Sequence, residues 1–392
     1  MRELGRLPGT IRRVTHAPCE SGRLGRAIAV GLAAVVIGAG LVWVARPWDP
    51  LRTETVQEGL EHPWDIAFAA DGRMLVTERI GRVRVYASGE PGAELLHTSE
   101  IPDVRTELES GLMGIAIHDD IVFVCASRDP GGDGGDLWRV DLMRATMAAD
   151  GVLSAFEPMP IGPTTGGPRH QGCAVEVDAN GQLWVSIGDA NQPAGANRAQ
   201  DPAQLNGKIL RLNADGTAAE GNPFDSPVYS LGHRNPQGIA IRPDGLVIAA
   251  EHGTDTNDEL NAIVAGGNYG YPCVTGANDP GPITDGCGPA TDYLAPVWAS
   301  GSPTLATSGA TFLIGEQSGE WEGDLIVSTL KEEDLRRFSI SADGAVTFEE
   351  TLIDGRFGRL RAVVIGPDGA LYVSTANGAD DRVIRVTPSI GQ

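Results

Sequence analysis

Residues 368–376 read DGALYVSTA, and this combination of an acidic or amide turn with an alternating apolar run occurs six times along the chain. The other copies are DGRMLVTER (71–79), NGQLWVSIG (180–188), DGLVIAAEHG (244–253), EGDLIVSTL (322–330) and a weaker one, DDIVFVCAS (119–127). Asn-Gly and Asp-Gly turns between alternating runs are typical of β-hairpins. The chain is therefore predicted to be all-β.

The copies are spaced about 45 to 80 residues apart, and several are followed by a further strand-like run, as in GRVRVY, KILRL, LRRFSI and RVIRV. This spacing suits four-stranded blades with inserted loops, so six copies predict a six-bladed β-propeller. A pair of elongated β-sandwiches is the alternative. In a propeller, loops from every blade gather at one end of the central channel, where a functional site is expected.

The N-terminal segment differs from this pattern. Ala27–Ala45 reads AIAVGLAAVVIGAGLVWVA without a charge, and it is long enough to cross most of a membrane as a helix. An arginine-rich flank precedes it, which predicts a cytoplasmic tail over 1–26, a single transmembrane helix over 27–45, a linker over 46–56 and an extracytoplasmic propeller over 57–392. A cleaved secretory signal is the alternative, although Trp43 would then occupy the −3 position of cleavage after Ala45.

Charge and cysteines agree with export. Residues 1–46 carry a net charge of +5, which leaves −27 on the rest of a chain whose total is −22. An acidic body repels phosphate backbones, so nucleic acid is not an expected partner. Four cysteines follow the apolar segment and are therefore expected on the extracytoplasmic side, where disulfides persist. Cys273 and Cys287 bracket a Gly/Pro/Asp-rich loop and are predicted to pair, whereas Cys125 and Cys173 either pair or remain buried thiols.

Two polar loops are rich in ligand-binding side chains. They are GPRHQG at 167–172 and GHRNPQG at 232–238. Taken alone, each is as typical of a surface turn as of a site, and a lone histidine is more often structural than catalytic.

The order of the motifs is more specific. The chain carries GLEHPWDIAFAADGRMLVTERIGRVRVY, ESGLMGIAIH, RHQG, VSIGDAN, LNGKILRLNADGTAAEGNPF, YSLGHRNPQGIAI, AEHGTDTNDELNAIVAGGNYGYP, DLIVSTLK and RLRAVVIGPDGALYVST. In this order, over about residues 57–388, the chain resembles the soluble glucose dehydrogenase and aldose sugar dehydrogenase family, which uses pyrroloquinoline quinone (PQQ) and Ca²⁺. The resemblance implies oxidation of the anomeric carbon of an aldose to a lactone, with hydride transfer to the quinone.

The resemblance also implies residue roles. His170 matches the family's general base, a task that suits an imidazole near neutral pH. Arg234 matches an arginine that, together with Ca²⁺, stabilises charge on the reduced quinone. The positions that match cofactor-binding residues are Glu109, Asn235, Lys331, Arg359 and Arg361.

Calcium is expected in the loop after Glu251. The resemblance implies ligation by the backbone carbonyls of Gly253 and Thr254, and a hard cation with oxygen ligands is chemically reasonable there. The nearby side chains that could contribute, or could simply form a solvated acidic turn, are Asp255, Asn257, Asp258 and Glu259.

Three positions depart from the family pattern. Glu109 stands where the glucose-oxidising relatives have a glutamine, and repulsion from the cofactor's carboxylates is expected unless a cation intervenes. Arg169 stands where some relatives carry an acidic residue that orients the base, a task that a guanidinium cannot perform for an imidazole. Thr254 replaces a proline, which a carbonyl ligand tolerates. These departures bear on cofactor affinity and sugar identity more than on the fold.

The electron acceptor is expected to be a separate quinone or cytochrome, because the chain has no CxxCH haem-attachment motif. Two other functions are compatible with a propeller: a metal-dependent lactonase, with carboxylate and amide ligands converging on the channel, and a non-catalytic propeller that binds a glycan or a protein.

Overall fold

Six four-stranded antiparallel sheets follow one another around a closed ring. The computed structural model describes residues 35–37, 40–42, 51–131, 138–191, 197–277, 279–283, 285, 287–341 and 344–388. The first strands of neighbouring blades contact one another from blade 1 to blade 6 and back to blade 1. The predicted six-bladed propeller is therefore confirmed, and the sandwich pair is excluded.

Each blade is numbered here in chain order, with its first strand next to the channel. Blade 1 consists of Pro63–Phe68, Met74–Glu78, Arg82–Tyr86 and Leu95–Glu100. Blade 2 consists of Leu112–His118, Ile121–Arg128, Arg139–Thr146 and Glu157–Pro158. Blade 3 consists of Gly172–Val177, Leu183–Ile187, Lys208–Leu212 and Val228–Leu231. Blade 4 consists of Pro236–Ile241, Val247–Glu251, Glu259–Ala262 and Trp298–Ala299. Blade 5 consists of Thr307–Phe312, Leu325–Thr329, Leu335–Ile340 and Val346–Leu352. Blade 6 consists of Leu360–Ile365, Leu371–Thr375, Ala379–Pro388 and Leu51–Glu61.

The apolar core lies between blades. Six clusters of buried side chains each join one blade to the next, so every alternating strand buries residues on both of its faces. Around the channel the first strands approach so closely that a side chain does not fit everywhere. A Cβ atom on Gly238 would lie 2.2 Å from the carbonyl oxygen of Ser308, and one on Gly114 would lie 2.3 Å from that of Cys173. Glycine is required at both positions.

The ring closes in blade 6, where Leu51–Glu61 pairs with the C-terminal strand Ala379–Pro388. The predicted linker over 46–56 is therefore wrong from Leu51 onwards, because these residues donate and accept ladder hydrogen bonds with a strand that is more than 300 residues away in the chain. Their alternating burial resembles that of the other outer strands.

Two disulfides are present. Cys273 pairs with Cys287, as predicted. Cys125 pairs with Cys173, with a Cα–Cα distance of 5.5 Å, which decides the alternative that the sequence left open. This bond joins the second strand of blade 2 to the first strand of blade 3, and both cysteines are fully buried.

The chain divides into an N-terminal unit, 1–45, and the propeller unit, and only two segments of the N-terminal unit are described. Val35–Ile37 and Gly40–Val42 form a short antiparallel pair rather than part of the predicted helix over 27–45. Three consecutive β-branched residues at 35–37 favour a strand over a helix. The predicted tail and the rest of the predicted anchor lie outside the described residues. No helix in the described ranges is both long and apolar enough to span a membrane.

Three short 3₁₀ helices are found in the described residues: Arg198–Gln200, Ala290–Asp292 and Glu316–Trp321. A two-stranded ribbon, Val274–Thr275 with Asp279–Pro280, lies in the insertion between the third and fourth strands of blade 4.

Candidate active site

One end of the ring collects the predicted site residues. Because first and second strands are antiparallel, the start of each first strand lies beside the end of the second strand, as in the pairs Gly172 with Ile187 and Pro236 with Glu251. The six acidic or amide turns of the sequence analysis lie at the opposite end. The predicted residues that occupy loops or strand starts at the first end are Glu109, His170, Arg234, Asn235, Gly253, Thr254, Lys331, Arg359 and Arg361.

His170 is buried and is oriented by a carboxylate. Its Nδ1 lies 2.8 Å from Oδ1 of Asp189, whose side chain is also buried. Asp189 begins the loop after the second strand of the same blade, and its amide donates to the carbonyl of Arg234 at 2.8 Å. Sequence reasoning missed Asp189, although it lies in the quoted motif VSIGDAN directly after a strand end. Among the described residues, Nε2 of His170 has no hydrogen-bond partner.

Glu109 holds the backbone of His170. Its Oε2 accepts the His170 amide at 3.0 Å, and its Oε1 accepts from the Arg169 guanidinium at 3.0 Å. Burial alone would raise the pKa of Glu109, but the amide hydrogen bond and the nearby His170, His252 and Arg169 lower it overall. His170 has a φ of 56°, a left-handed conformation that needs such support. Arg169 thus neutralises Glu109, and Asp189 performs the orienting task.

Arg234 and Asn235 are the last residues of the loop that leads into blade 4. The Arg234 amide donates to Glu251 Oε1, and its guanidinium donates to the carbonyl of His252 at 3.1 Å. Asn235 Oδ1 accepts the Gly172 amide at 3.0 Å, which ties this loop to blade 3.

The buried polar atoms at this end that have no hydrogen-bond partner in the described part of the chain include Arg234 Nε, Asn235 Nδ2 and His252 Nε2. Burial lowers the pKa of His252. Buried polar atoms are nearly always hydrogen-bonded, so this group indicates a place for a polar ligand or ordered water.

Arg361 is fixed from two sides. Its guanidinium lies 3.6 Å from the ring centroid of Trp64 and donates to Gln237 Oε1 at 3.0 Å. Burial, followed by repulsion from Arg359, lowers the pKa of Arg361 to about 9, so it remains a cation at neutral pH. Arg79, which the sequence analysis did not select, belongs to the same positive cluster and donates to the carbonyl of Leu108 at 2.6 Å.

Arg359 and Lys331 are exposed at the same end. Lys331 Nζ lies 3.5 Å from Thr304 Oγ1, and no described contact joins it to Arg361. The predicted trio therefore shares one end of the ring, but only Arg359 and Arg361 interact directly through their charges.

The predicted calcium loop follows the second strand of blade 4. Gly253 is confined: a Cβ there would lie 2.0 Å from the carbonyl oxygen of Thr256. Asp258 is buried and accepts the Gly253 amide at 2.8 Å, and Asn257 donates to Asp279 at 3.1 Å. Burial and the neighbouring Glu251 raise the pKa of Glu259 to about 8.

In the described ranges, no three or more His, Cys, Asp or Glu side chains are grouped so as to hold a metal ion. The side-chain metal site that the lactonase alternative requires is thus not found in the part of the chain that the structure describes.

Comparisons with known proteins identify the family of the chain. Residues 60–385 match the family described as Glucose / Sorbosone dehydrogenase. The aldose sugar dehydrogenase YliI of Escherichia coli (strain K12) is 31% identical over 362 residues, covering 86% of this chain and 93% of the relative. The quinoprotein glucose dehydrogenase B of Acinetobacter calcoaceticus is 27% identical over 312 residues, covering 71% and 63%.

Among solved structures, the PQQ-bound aldose sugar dehydrogenase from Streptomyces coelicolor superposes with a TM-score of 0.71 at 29% identity, covering 86% of this chain and 98% of that one. The family match spans most of the chain and includes every residue selected above. The chain therefore belongs to the glucose/sorbosone dehydrogenase family.

Proposed function

We propose that this protein is a PQQ-dependent dehydrogenase that oxidises the anomeric carbon of aldose-type sugars to lactones. The observation that carries the proposal is the buried His170–Asp189 pair, which lies at the same end of the ring as a positive cluster and three unpartnered polar atoms. Family membership supports the same reaction class.

His170 acts as the general base. With Nδ1 held by Asp189, Nε2 is left to accept the proton of the anomeric hydroxyl. A hydride leaves a carbinol carbon readily only when its hydroxyl proton is removed, so the base must lie beside that oxygen. Asp189 fixes the ring's orientation and stabilises the imidazolium that forms, as a carboxylate does in other histidine-base enzymes. Glu109 keeps the His170 backbone in its left-handed turn.

The cofactor site is cationic. PQQ carries three carboxylates, and arginine can meet a carboxylate with two parallel N–H bonds. Arg359, Arg361 and Lys331 are proposed to bind these carboxylates, and the unpartnered donors of Arg234 and Asn235 to bind the quinone's polar atoms. Glu109 is already neutralised by Arg169, so its charge does not oppose an anionic ligand as the sequence analysis expected. When bound, the quinone supplies the hydride acceptor.

A calcium ion is proposed at the carbonyls of Gly253 and Thr254. Neither carbonyl accepts a hydrogen bond from a described backbone amide, and the loop is too tight at Gly253 for any side chain. Such free carbonyls are ligands that Ca²⁺ takes. The ion and the Arg234 guanidinium would together stabilise negative charge at the cofactor.

The location and the electron acceptor are also proposals. Two disulfides support an extracytoplasmic propeller, since such bonds persist outside the cytoplasm. Anchoring through residues 27–45 stays a prediction from the sequence. The reduced cofactor would pass its electrons to a separate quinone or cytochrome.

The experiment is reconstitution of the purified protein with PQQ and Ca²⁺, followed by dye reduction with a panel of aldoses. Replacing the base, as His170→Ala, should lower kcat by roughly 10²–10⁴-fold while quinone binding, measured by absorbance, persists. His118→Ala, at a partly buried histidine of the opposite end, is the control. If no aldose supports dye reduction although the quinone is bound, the substrate class is wrong.

A further inference from the structure

Asp258 joins two loops through one buried carboxylate. Its side chain is only 1% exposed. Oδ1 accepts the amide of Gly253 at 2.8 Å, while Oδ2 accepts the amides of Leu305 at 2.7 Å and Ala306 at 2.5 Å. Both oxygens are therefore already engaged, which leaves Asp258 poorly suited to the metal-ligand role that its position in the acidic turn suggested.

The two loops that meet here have different proposed tasks. Gly253 begins the segment whose carbonyls face the proposed calcium ion. Leu305 and Ala306 precede the first strand of blade 5, and their carbonyls accept the amides of Lys331 at 3.0 Å and Leu330 at 2.9 Å. A single carboxylate thus connects the proposed metal loop of blade 4 to the segment that carries Lys331 in blade 5.

Asp258 is itself held rigidly. Its amide donates to Ser300 Oγ at 3.0 Å, and its carbonyl accepts the Ser300 amide at 2.8 Å. The two ends of the connection, at Asn257 and Ala306, have φ values of 59° and 56°. Left-handed backbone at residues other than glycine is unfavourable unless neighbouring contacts hold it, and charge-assisted hydrogen bonds are the strongest contacts available here.

We infer that Asp258 is a positioning residue that sets the Gly253–Thr254 carbonyls and the backbone of Lys331 at a fixed separation, so that the metal and the cofactor's carboxylate are bound by one prearranged unit. The identity of the two ligands in this inference rests on the proposed function. The connection between the two loops through Asp258 is independent of the proposed function.

The first test needs no ligand. Hydrogen exchange of the apoprotein is compared among the wild type, Asp258→Asn and Asp255→Asn. Asp255 is exposed in the same loop and makes no described contact, so it controls for the loss of one negative charge. We expect Asp258→Asn to accelerate exchange at both 253–258 and 304–306, and Asp255→Asn to leave them unchanged. Faster exchange at 253–258 alone would overturn the connection.

The second test measures the ligands separately. Ca²⁺ affinity is measured by calorimetry without quinone, and PQQ affinity by absorbance. Asp258→Asn should weaken each by roughly tenfold, because one charged acceptor of three amides is lost. Asp215→Asn, at an exposed turn of the opposite end, should change each by less than about twofold, as expected for an exposed charge remote from both ligands. Equal effects of the two variants would mean that only long-range charge matters, and would overturn the positioning role.

A double-mutant cycle with Lys331→Met isolates the path to the cofactor. If Asp258 acts through Lys331, then Asp258→Asn weakens PQQ binding less in the Lys331→Met background than in the wild type. Full additivity overturns this part of the inference. If the wild type binds neither Ca²⁺ nor PQQ, the proposed function fails, whereas the exchange experiment still decides whether Asp258 connects the loops.

Discussion

Nδ1 of His170 and Oδ1 of Asp189 are 2.8 Å apart, although the two residues belong to different loops of blade 3 and lie 19 positions apart in the chain. The contact restricts the imidazole to one orientation and leaves a single ring nitrogen for proton transfer. The family resemblance had suggested that the acidic partner should precede the base, where this chain has Arg169. Here the loop after the second strand supplies the carboxylate instead.

Asp189→Asn should lower kcat by roughly 10–10³-fold with little change in KM, since the amide can stabilise the wrong tautomer and cannot stabilise an imidazolium. Steady-state kinetics with a good aldose substrate measure this. Asp215→Asn, an exposed turn residue, is the control. An unchanged kcat would show that Asp189 has only a structural role.

Arg361→Lys should weaken PQQ binding by roughly tenfold or more. The substitution retains a charge but loses the planar guanidinium that lies 3.6 Å from the Trp64 centroid and donates to Gln237. Absorbance titration of the apoprotein measures the affinity. Arg242→Lys is a matched control, because Arg242 also lies over an aromatic ring, that of Phe312, but on the turn at the opposite end. Equal loss in both variants would contradict a direct role for Arg361.

Asp65 should make stability depend on pH. Burial raises its pKa to about 7, whereas an unfolded aspartate titrates near ~3.9. Between these values the folded chain keeps a proton that the unfolded chain has released. The free energy of unfolding should therefore fall as the pH rises from about 4 to about 7, and level off above.

Asp65→Asn removes this dependence. Relative to the wild type, its free energy of unfolding should increase with pH by on the order of 1 kcal/mol per unit within that window. Urea denaturation at several pH values provides the comparison. Asp71→Asn, where a hydrogen bond from Arg73 lowers the pKa, should show no such gain. Parallel profiles of Asp65→Asn and the wild type would refute the prediction.

The Cys125–Cys173 bond should stabilise the propeller more than Cys273–Cys287. The two pairs are separated by 48 and 14 residues, and the chain-entropy model then assigns them about 4 and about 3 kcal/mol. Double alanine variants of each pair, unfolded in urea, measure the difference. A larger loss from the Cys273–Cys287 pair would contradict the expectation.

Much of the fold could be predicted from the sequence because the turns that define its hairpins are short local motifs. Each of the six acidic or amide turns predicted one hairpin, and the structure places one of these turns between the first and second strands of each blade. The strands that escaped prediction are short, such as Trp298–Ala299, or depend on a distant partner. Leu51–Glu61 forms a strand because it pairs with the strand Ala379–Pro388. The sequence of residues 46–56 contains no pattern that predicts this pairing.

Site residues that belong to a sequence motif could be predicted. Contacts between side chains of two different loops could not, because they depend on how the fold places those loops in space. His170 and Arg234 lie where the motifs suggested, whereas the partner of His170 depends on strand register. Asp258 illustrates the same limit: its acidic surroundings suggested a metal ligand, but three amides from two loops occupy its oxygens.

Closure of the ring in blade 6 also determines where a linker can be attached to the propeller. Leu51 pairs with Pro388, so both ends of the folded ring emerge together, at the end remote from His170. A linker to an electrode, a bead or a fused domain that is joined directly to Leu51 or Pro388 would thus leave the mouth open to diffusing sugar and dye.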